Sequence, residues 1–214
     1  MKPRSNNNPT DIFQMKTSGT SFLEELAKAQ PNPGGGAAAA YGATLALALL
    51  TKVIRLEHKR SENRQVARFF WEERLRQVRK LHEEMEHLRE ADVQAYMNLA
   101  RALRHGRQEL PSALEKAIGY PRRIMEGAFG GLKEVAAAGD KCRKHLIPDL
   151  QVAAEFLRAA LAGAYQIAVA NLPLLPSPES RQDQTDRLDG LLRRGNLAWR
   201  GVRRLLTART LSSD

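Results

Sequence analysis

Among the 214 residues, the first stretch suited to chemistry is Pro33-Gly34-Gly35-Gly36, which opens directly onto an Ala-rich apolar run. Glycines allow positive-φ turns and let a ligand approach the backbone closely. A helix start behind them presents unpaired N–H groups and a positive dipole end, where a carboxylate or a polar ring docks well. A tight connection between two packed helices would use the same residues. Asp149 follows Pro148 in what reads as a first helical turn, where the dipole favours a negative charge, as a cap or at a site. The histidines His58, His82, His87, His105 and His145 form no HExxH or Cys/His cluster, and His82 and His87, five apart, point to different helix faces. The single Cys142 excludes an internal disulfide framework and a Cys-based zinc site. No G-x-x-x-x-G-K-[ST] is present, so the triple glycine is not a nucleotide P-loop. The expectation is a site without a metal.

Helices must position these residues. Aromatics are only 6% of the chain while Ala, Leu, Arg and Glu dominate, which favours helix packed on helix. Residues 1–16, with Pro3, Pro9 and Asn6-Asn7-Asn8, read as a flexible N-terminal tail, and 17–210 as a single helical domain. A capping box, Ser21 with Glu24, predicts a helix from Ser21 to just before Pro31. A central, buried helix follows over Gly36–Leu56. Apolar residues from Val66 and Phe69 to Leu99 recur three or four apart, predicting a long helix over Glu62–His105, either a hairpin arm or broken. Then come a short helix over Pro111–Ile118, a second from Pro121 to Gly139, one from Pro148 to Ala170, and a last helix with Leu188, Leu191, Leu192, Trp199, Val202, Leu205 and Leu206 on one side. The fold class is all-α, an up-and-down bundle with long helices.

The chain carries a formal charge of +10. Nine basic residues face four acidic between Arg55 and Lys80, and eight face three between Arg181 and Arg209. Solvated helix faces explain part of this; an anionic partner explains the rest, with a small polyanion ahead of nucleic acid because no nucleic-acid-binding motif accompanies the charge. The N-terminus has no apolar core and so no secretory signal. The apolar run Gly36–Leu50 is too short and too Ala-rich to span a membrane. A cytoplasmic protein with no membrane partner is expected.

Ser21-Phe22-Leu23-Glu24-Glu25-Leu26, followed by Pro31-Asn32-Pro33-Gly34-Gly35-Gly36 and the Ala-rich helix, resembles the start of the cyclodeaminase family, which includes formiminotransferase-cyclodeaminase and the methenyltetrahydrofolate cyclohydrolases. Asp149-Leu150-Gln151-Val152-Ala153-Ala154, with Gly163-Ala164-Tyr165 and Asn171-Leu172, is similar to the family's second motif. Leu88 to Tyr96 resembles its acidic-then-aromatic central segment. The resemblance implies a homodimeric helical enzyme acting on one-carbon tetrahydrofolates. It would close 5-formiminotetrahydrofolate to 5,10-methenyltetrahydrofolate with release of ammonia, or hydrolyse the methenyl ring, with no cofactor beyond the folate substrate. It places Asp92 and Asp149 in the catalytic site, Gly34, Gly35 and Gly36 at the substrate, Asn171 beside a pterin, and Lys59 and Arg60 on the glutamate tail.

Several polar positions of the family pattern differ here. Ala37 stands where a small hydroxyl residue follows the glycines, Glu57 where a threonine precedes the basic pair, Cys142-Arg143 for Gly-Asn, and Ile167 for an Asn. Backbone-shaping residues are kept better than polar ones. The alternative is therefore a non-catalytic helical dimer of the same fold that binds an acidic ligand or a protein partner.

Overall fold

The computed structural model describes residues 17–61, 64–106 and 108–211; the expected tail, 1–16, lies outside them. Two compact units meet between Gly34 and Gly35. In the first, α1 spans Thr17–Leu26. It starts a turn earlier than expected, so Ser21 sits inside the helix and does not cap it. Beyond it, the Gln30 amide donates to Glu25 at 3.2 Å and to the Asn32 carbonyl at 2.7 Å, and the Asn32–Pro33 peptide is cis.

The second unit holds α2 (Gly35–Arg60), α3 (Gln65–His105), α4 (Leu110–Lys141), α5 (Ile147–Asn171) and α6 (Pro178–Leu211), with short 3-10 turns at Lys144–Leu146 and Leu172–Leu174. No strand occurs among the described residues. α2 packs on α3, α3 on α4, α4 on α5 and α5 back on α2, closing a ring of four helices, and α6 lies across α4 and α5. Successive helices run antiparallel. Arg74 meets Glu134 at 3.1 Å and Arg123 meets Glu84 at 3.0 Å across α3 and α4, while Trp199 donates to Glu155 across α6 and α5. This is the expected up-and-down bundle.

α2 is central because its sequence is apolar on almost every face: Ala37, Ala40, Ala43, Ala46, Leu47, Leu50, Val53 and Ile54 are fully buried. Contrary to the expectation for the run Gly36–Leu50, its 26 residues, like the segment Lys144–Leu174, are long and apolar enough to cross a membrane; 50% of the first window and 39% of the second lie buried inside the bundle. Small Ala side chains let neighbouring helices approach closely, while the Leu and Ile residues fill the remaining gaps.

α3 is one unbroken helix of 41 residues, about 60 Å long. Val66 and Phe69 remain 87% and 71% exposed, so its core face starts with Trp71 and not at Val66. α4 also departs from expectation: it runs straight through Pro121, where two helices were predicted. Proline lacks the N–H that would bond the carbonyl four residues earlier, here that of Ala117. The Asn171 amide supplies the missing donor, at 3.1 Å. A side chain from a neighbouring helix thus repairs the lost bond, and the helix continues.

Candidate active site at the start of the central helix

α2 begins with Gly35 and Gly36, and its first backbone N–H groups have no partner within the helix. Asp92 reaches them from α3. Its side chain accepts a hydrogen bond from the Ala37 N–H, and burial holds its carboxyl above the usual carboxylate range, partly opposed by that bond. The approach is close: a Cβ on Gly36 would fall 2.3–2.5 Å from the carboxylate carbon and oxygens of Asp92. A Cβ on Gly35 would fall 2.9 Å from Ile167 Cδ1 of α5. Neither glycine adopts a positive φ, nor does any described glycine, which corrects the turn expected there. Absence of a side chain, not backbone freedom, is what these positions require. Gly34 belongs to the preceding unit, where an added Cβ would meet only the Pro31 carbonyl, at an ordinary 3.7 Å.

A partly desolvated carboxyl aimed at a helix start holds a proton more readily than a free one, and as a carboxylate it can stabilise a cation beside it. Ala37 and Ile167, two of the departures from the family pattern, stand at this same place. Neither brings a polar side-chain group to it: Ala37 offers Asp92 only its backbone N–H, and Ile167 packs toward Gly35.

The remaining candidates are dispersed. Asp149 pairs with Lys52 at 2.8 Å, about 24 Å along α2 from Gly36 at 1.5 Å per residue. Lys59 and Arg60 lie exposed at the far end of α2, about 35 Å from Gly36 by the same measure. Asn171 is one turn beyond Ile167 and thus at the Asp92 end, but its amide donates to the Ala117 and Ile167 carbonyls, both at 3.1 Å. Both of its N–H donors are committed to the backbone. Within one chain, Asp92 and the two glycines meet, while Asp149, Lys59 and Arg60 gather toward the opposite end.

At that opposite end two other departures prove to be partners. Glu57, buried on α2, accepts from the Arg143 backbone N–H at 3.2 Å and from its guanidinium at 3.0 Å. Arg209 of α6 donates to the neighbouring Cys142 carbonyl. Burial, with the charge of Glu57 adding to it, pushes the Cys142 thiol up to about 11, so it stays a protonated, unreactive packing group at neutral pH. Sequence reasoning missed the Glu57–Arg143 pair, although an acid replacing Thr and a base replacing Asn is a complementary change that could have signalled contact. It also missed Tyr41, whose ring lies 6.0 Å from the Arg89 guanidinium one turn from Asp92. Among the described residues, no three His, Cys, Asp or Glu side chains are grouped to hold a metal ion.

Comparison with known proteins decides the lineage. The family model for formiminotransferase-cyclodeaminase matches residues 18–189. The chain belongs to the formiminotransferase-cyclodeaminase family. Among solved structures, formiminotetrahydrofolate cyclodeaminase from Thermotoga maritima superposes with a TM-score of 0.83 at 20% identity, over 91% of this chain and 98% of that one. No curated protein matches in sequence. The family match ends within α6, just before its arginine-rich part. For a formiminotransferase-cyclodeaminase relative the all-helical architecture is thus established, and the motifs around Gly34–Gly36 and Asp149 fall within the matched region.

Proposed function

We propose that this chain is a folate enzyme of the cyclodeaminase type, cyclising 5-formiminotetrahydrofolate to 5,10-methenyltetrahydrofolate with release of ammonia. The observation that carries this reading is the Asp92 carboxyl, desolvated and held against Gly36 at the start of α2. Ring closure requires the aryl amine of the folate to attack the formimino carbon. The attacking nitrogen must lose a proton and the leaving nitrogen must gain one. A carboxyl whose proton affinity is raised by burial suits that relay, and as a carboxylate it stabilises the amidinium charge that develops. Hydrolysis of the methenyl ring passes through attack at the same carbon, so the same residue serves a cyclohydrolase. Neither chemistry asks for a metal or a redox cofactor, and the cytoplasm is the compartment that suits it.

A homodimer belongs to the same reading. Leu45 and Leu56 on α2 and Val152 and Phe156 on the adjoining α5 are 40% exposed or more, an apolar face that a second copy would cover. A two-fold pairing with the α2 helices antiparallel would carry the Lys59–Arg60 end of one copy toward the Gly36 end of the other. That would gather candidates that one chain keeps apart.

Ala37 and Ile167 favour the second reading, a binding module that kept the scaffold and lost the reaction. One assay separates the two. Purified protein is given 5-formiminotetrahydrofolate and, separately, methenyltetrahydrofolate, and the methenyl chromophore is followed. Gain of chromophore above the blank marks the cyclodeaminase, and accelerated loss marks the cyclohydrolase. Either activity should fall at least about 100-fold in Asp92→Asn. Full activity in that variant would remove Asp92 from the mechanism, and no change with either substrate would leave the binding module.

A further inference from the structure

Within one chain the basic stretch beginning at Arg55 lies away from Asp92, and the structure shows where part of it points. Along the α2–α3 seam, beyond Tyr41 and Arg89, the helices part into a groove of about 420 Å³, within the size range of small-molecule sites. Ala48 and Leu75 give it an apolar floor, and the small Ala48 leaves the space open. Lys52 and Arg55 enter from α2, and Arg79 and His82 from α3. Lys52 is already held by Asp149 at 2.8 Å. Arg55 and Arg79 form no ion pair with any described residue, although Glu83 lines the groove as well.

Two guanidiniums from two helices therefore line one cavity, neither held in an ion pair, and with Lys52 they outnumber the one carboxylate on its wall, Glu83. That excess of positive charge favours an anion between them. The planar fork of arginine matches a carboxylate through two parallel hydrogen bonds, which a compact ammonium cannot do. The apolar floor adds room for a short hydrocarbon spacer between acidic groups. We infer that this groove is a binding site for a small organic anion bearing two or more carboxylates. One carboxylate bridges Arg55 and Arg79, and another reaches the His82 and Lys52 side. The groove lies about 18–28 Å from Gly36 along α2 of the same chain, and the inference uses neither Asp92 nor the folate reading.

The test is isothermal titration of the full chain with tricarballylate, and with inorganic phosphate as a spherical anion. Arg55→Gln and Arg79→Gln are compared with Arg200→Gln, which removes the same charge from exposed α6. Far-UV circular dichroism checks that each variant is folded. Tricarballylate should bind more tightly than phosphate, at least about tenfold more weakly in each groove variant, and within about twofold of wild type in Arg200→Gln. The His82 ring proton resonances should shift on titration in wild type and not in Arg79→Gln. Equal weakening in all three variants would mean diffuse attraction by net charge and would overturn the site. Phosphate binding as tightly as tricarballylate would overturn the carboxylate class, and no binding at millimolar anion would overturn both.

Discussion

Replacing Gly36 by alanine sets two physical effects against each other. In a helix, alanine is better than glycine by up to about 1 kcal/mol, and less in the first turn, where fewer backbone bonds depend on it. Against this stands the new Cβ, 2.3–2.5 Å from three atoms of the Asp92 carboxyl group. Normal contact would demand a retreat of about 1 Å, which costs about 1–3 kcal/mol in a packed site and stretches the bond from the Ala37 N–H. The clash prevails, and Gly36→Ala should destabilise the fold by about 1–2 kcal/mol, lowering Tm by about 2–8 °C for a chain of this size. The decisive measurement is a double-mutant cycle by urea denaturation with Asp92→Ala. Once the carboxyl is gone, the Cβ at position 36 has space, and Gly36→Ala should become neutral or slightly stabilising. The coupling should be about 1–3 kcal/mol, with the double variant more stable than the sum of the singles. Additive single effects, or a stabilised Gly36→Ala in the wild-type background, would refute the close approach on which the candidate site depends.

Three further outcomes follow from named contacts. Because burial raises the Asp92 carboxyl above its unfolded value, the native state holds that proton at pH values where the unfolded chain has released it, so Asp92 lowers stability as pH rises from about 4 through its folded value. Asp92→Asn lacks this penalty, so the stability of wild type relative to the variant should decline from pH 4 to neutrality in parallel urea titrations, and a flat or rising difference would contradict the desolvation. Asn171→Leu should cost about 1–3 kcal/mol by leaving the Ala117 carbonyl unbonded, and appreciably less in a Pro121→Ala background, where an N–H returns; equal costs would show that Asn171 is not the replacement donor. Glu57→Thr, with the residue the family pattern carries, should destabilise by about 1–3 kcal/mol when Arg143 is kept, and Arg143→Asn should recover part of the loss, as thermal melts of the two variants would show.

The all-helical class was legible because the signal for it is long-range and redundant: every stretch of apolar spacing is helical and no alternation competes. The central position of α2 followed from its lack of a polar face. What was not legible depends on single contacts between helices. Pro121 read as a break because sequence shows the missing N–H but not the Asn171 amide, 50 residues later, that replaces it. The glycines read as a turn because glycine has two uses, and only the Asp92 carboxylate on one side and Ile167 on the other show that close approach is the operative one. Ser21 read as a cap because the motif fits, yet α1 begins a turn before it. At the site, Asp92 was chosen from the family resemblance alone; its spacing on α3 gave no hint that it would cap another helix.

The departures from the family pattern look scattered in sequence but fall at the two ends of α2. At one end, Ala37 and Ile167 put apolar side chains beside the two glycines, while the Ala37 N–H still donates to Asp92. A change of that kind alters the proton affinity of the acid more than its position. At the other end, Glu57 and Arg143 replace two uncharged residues with a paired acid and base, and Arg209 from α6 ties down the adjacent Cys142 carbonyl. A polar group directed at a ligand is left with open donors or acceptors, whereas the oxygen of Glu57 that receives both Arg143 bonds faces inward. The second end is therefore a structural clamp in this chain, and under the proposed folate reading the first is a retuned acid. If so, loss of the clamp should change stability and leave the pH dependence of turnover alone, while returning a polar side chain through Ile167→Asn should shift that pH dependence to lower values at little cost in stability. An unshifted profile in Ile167→Asn would mean that the apolar wall does not set the proton affinity of Asp92.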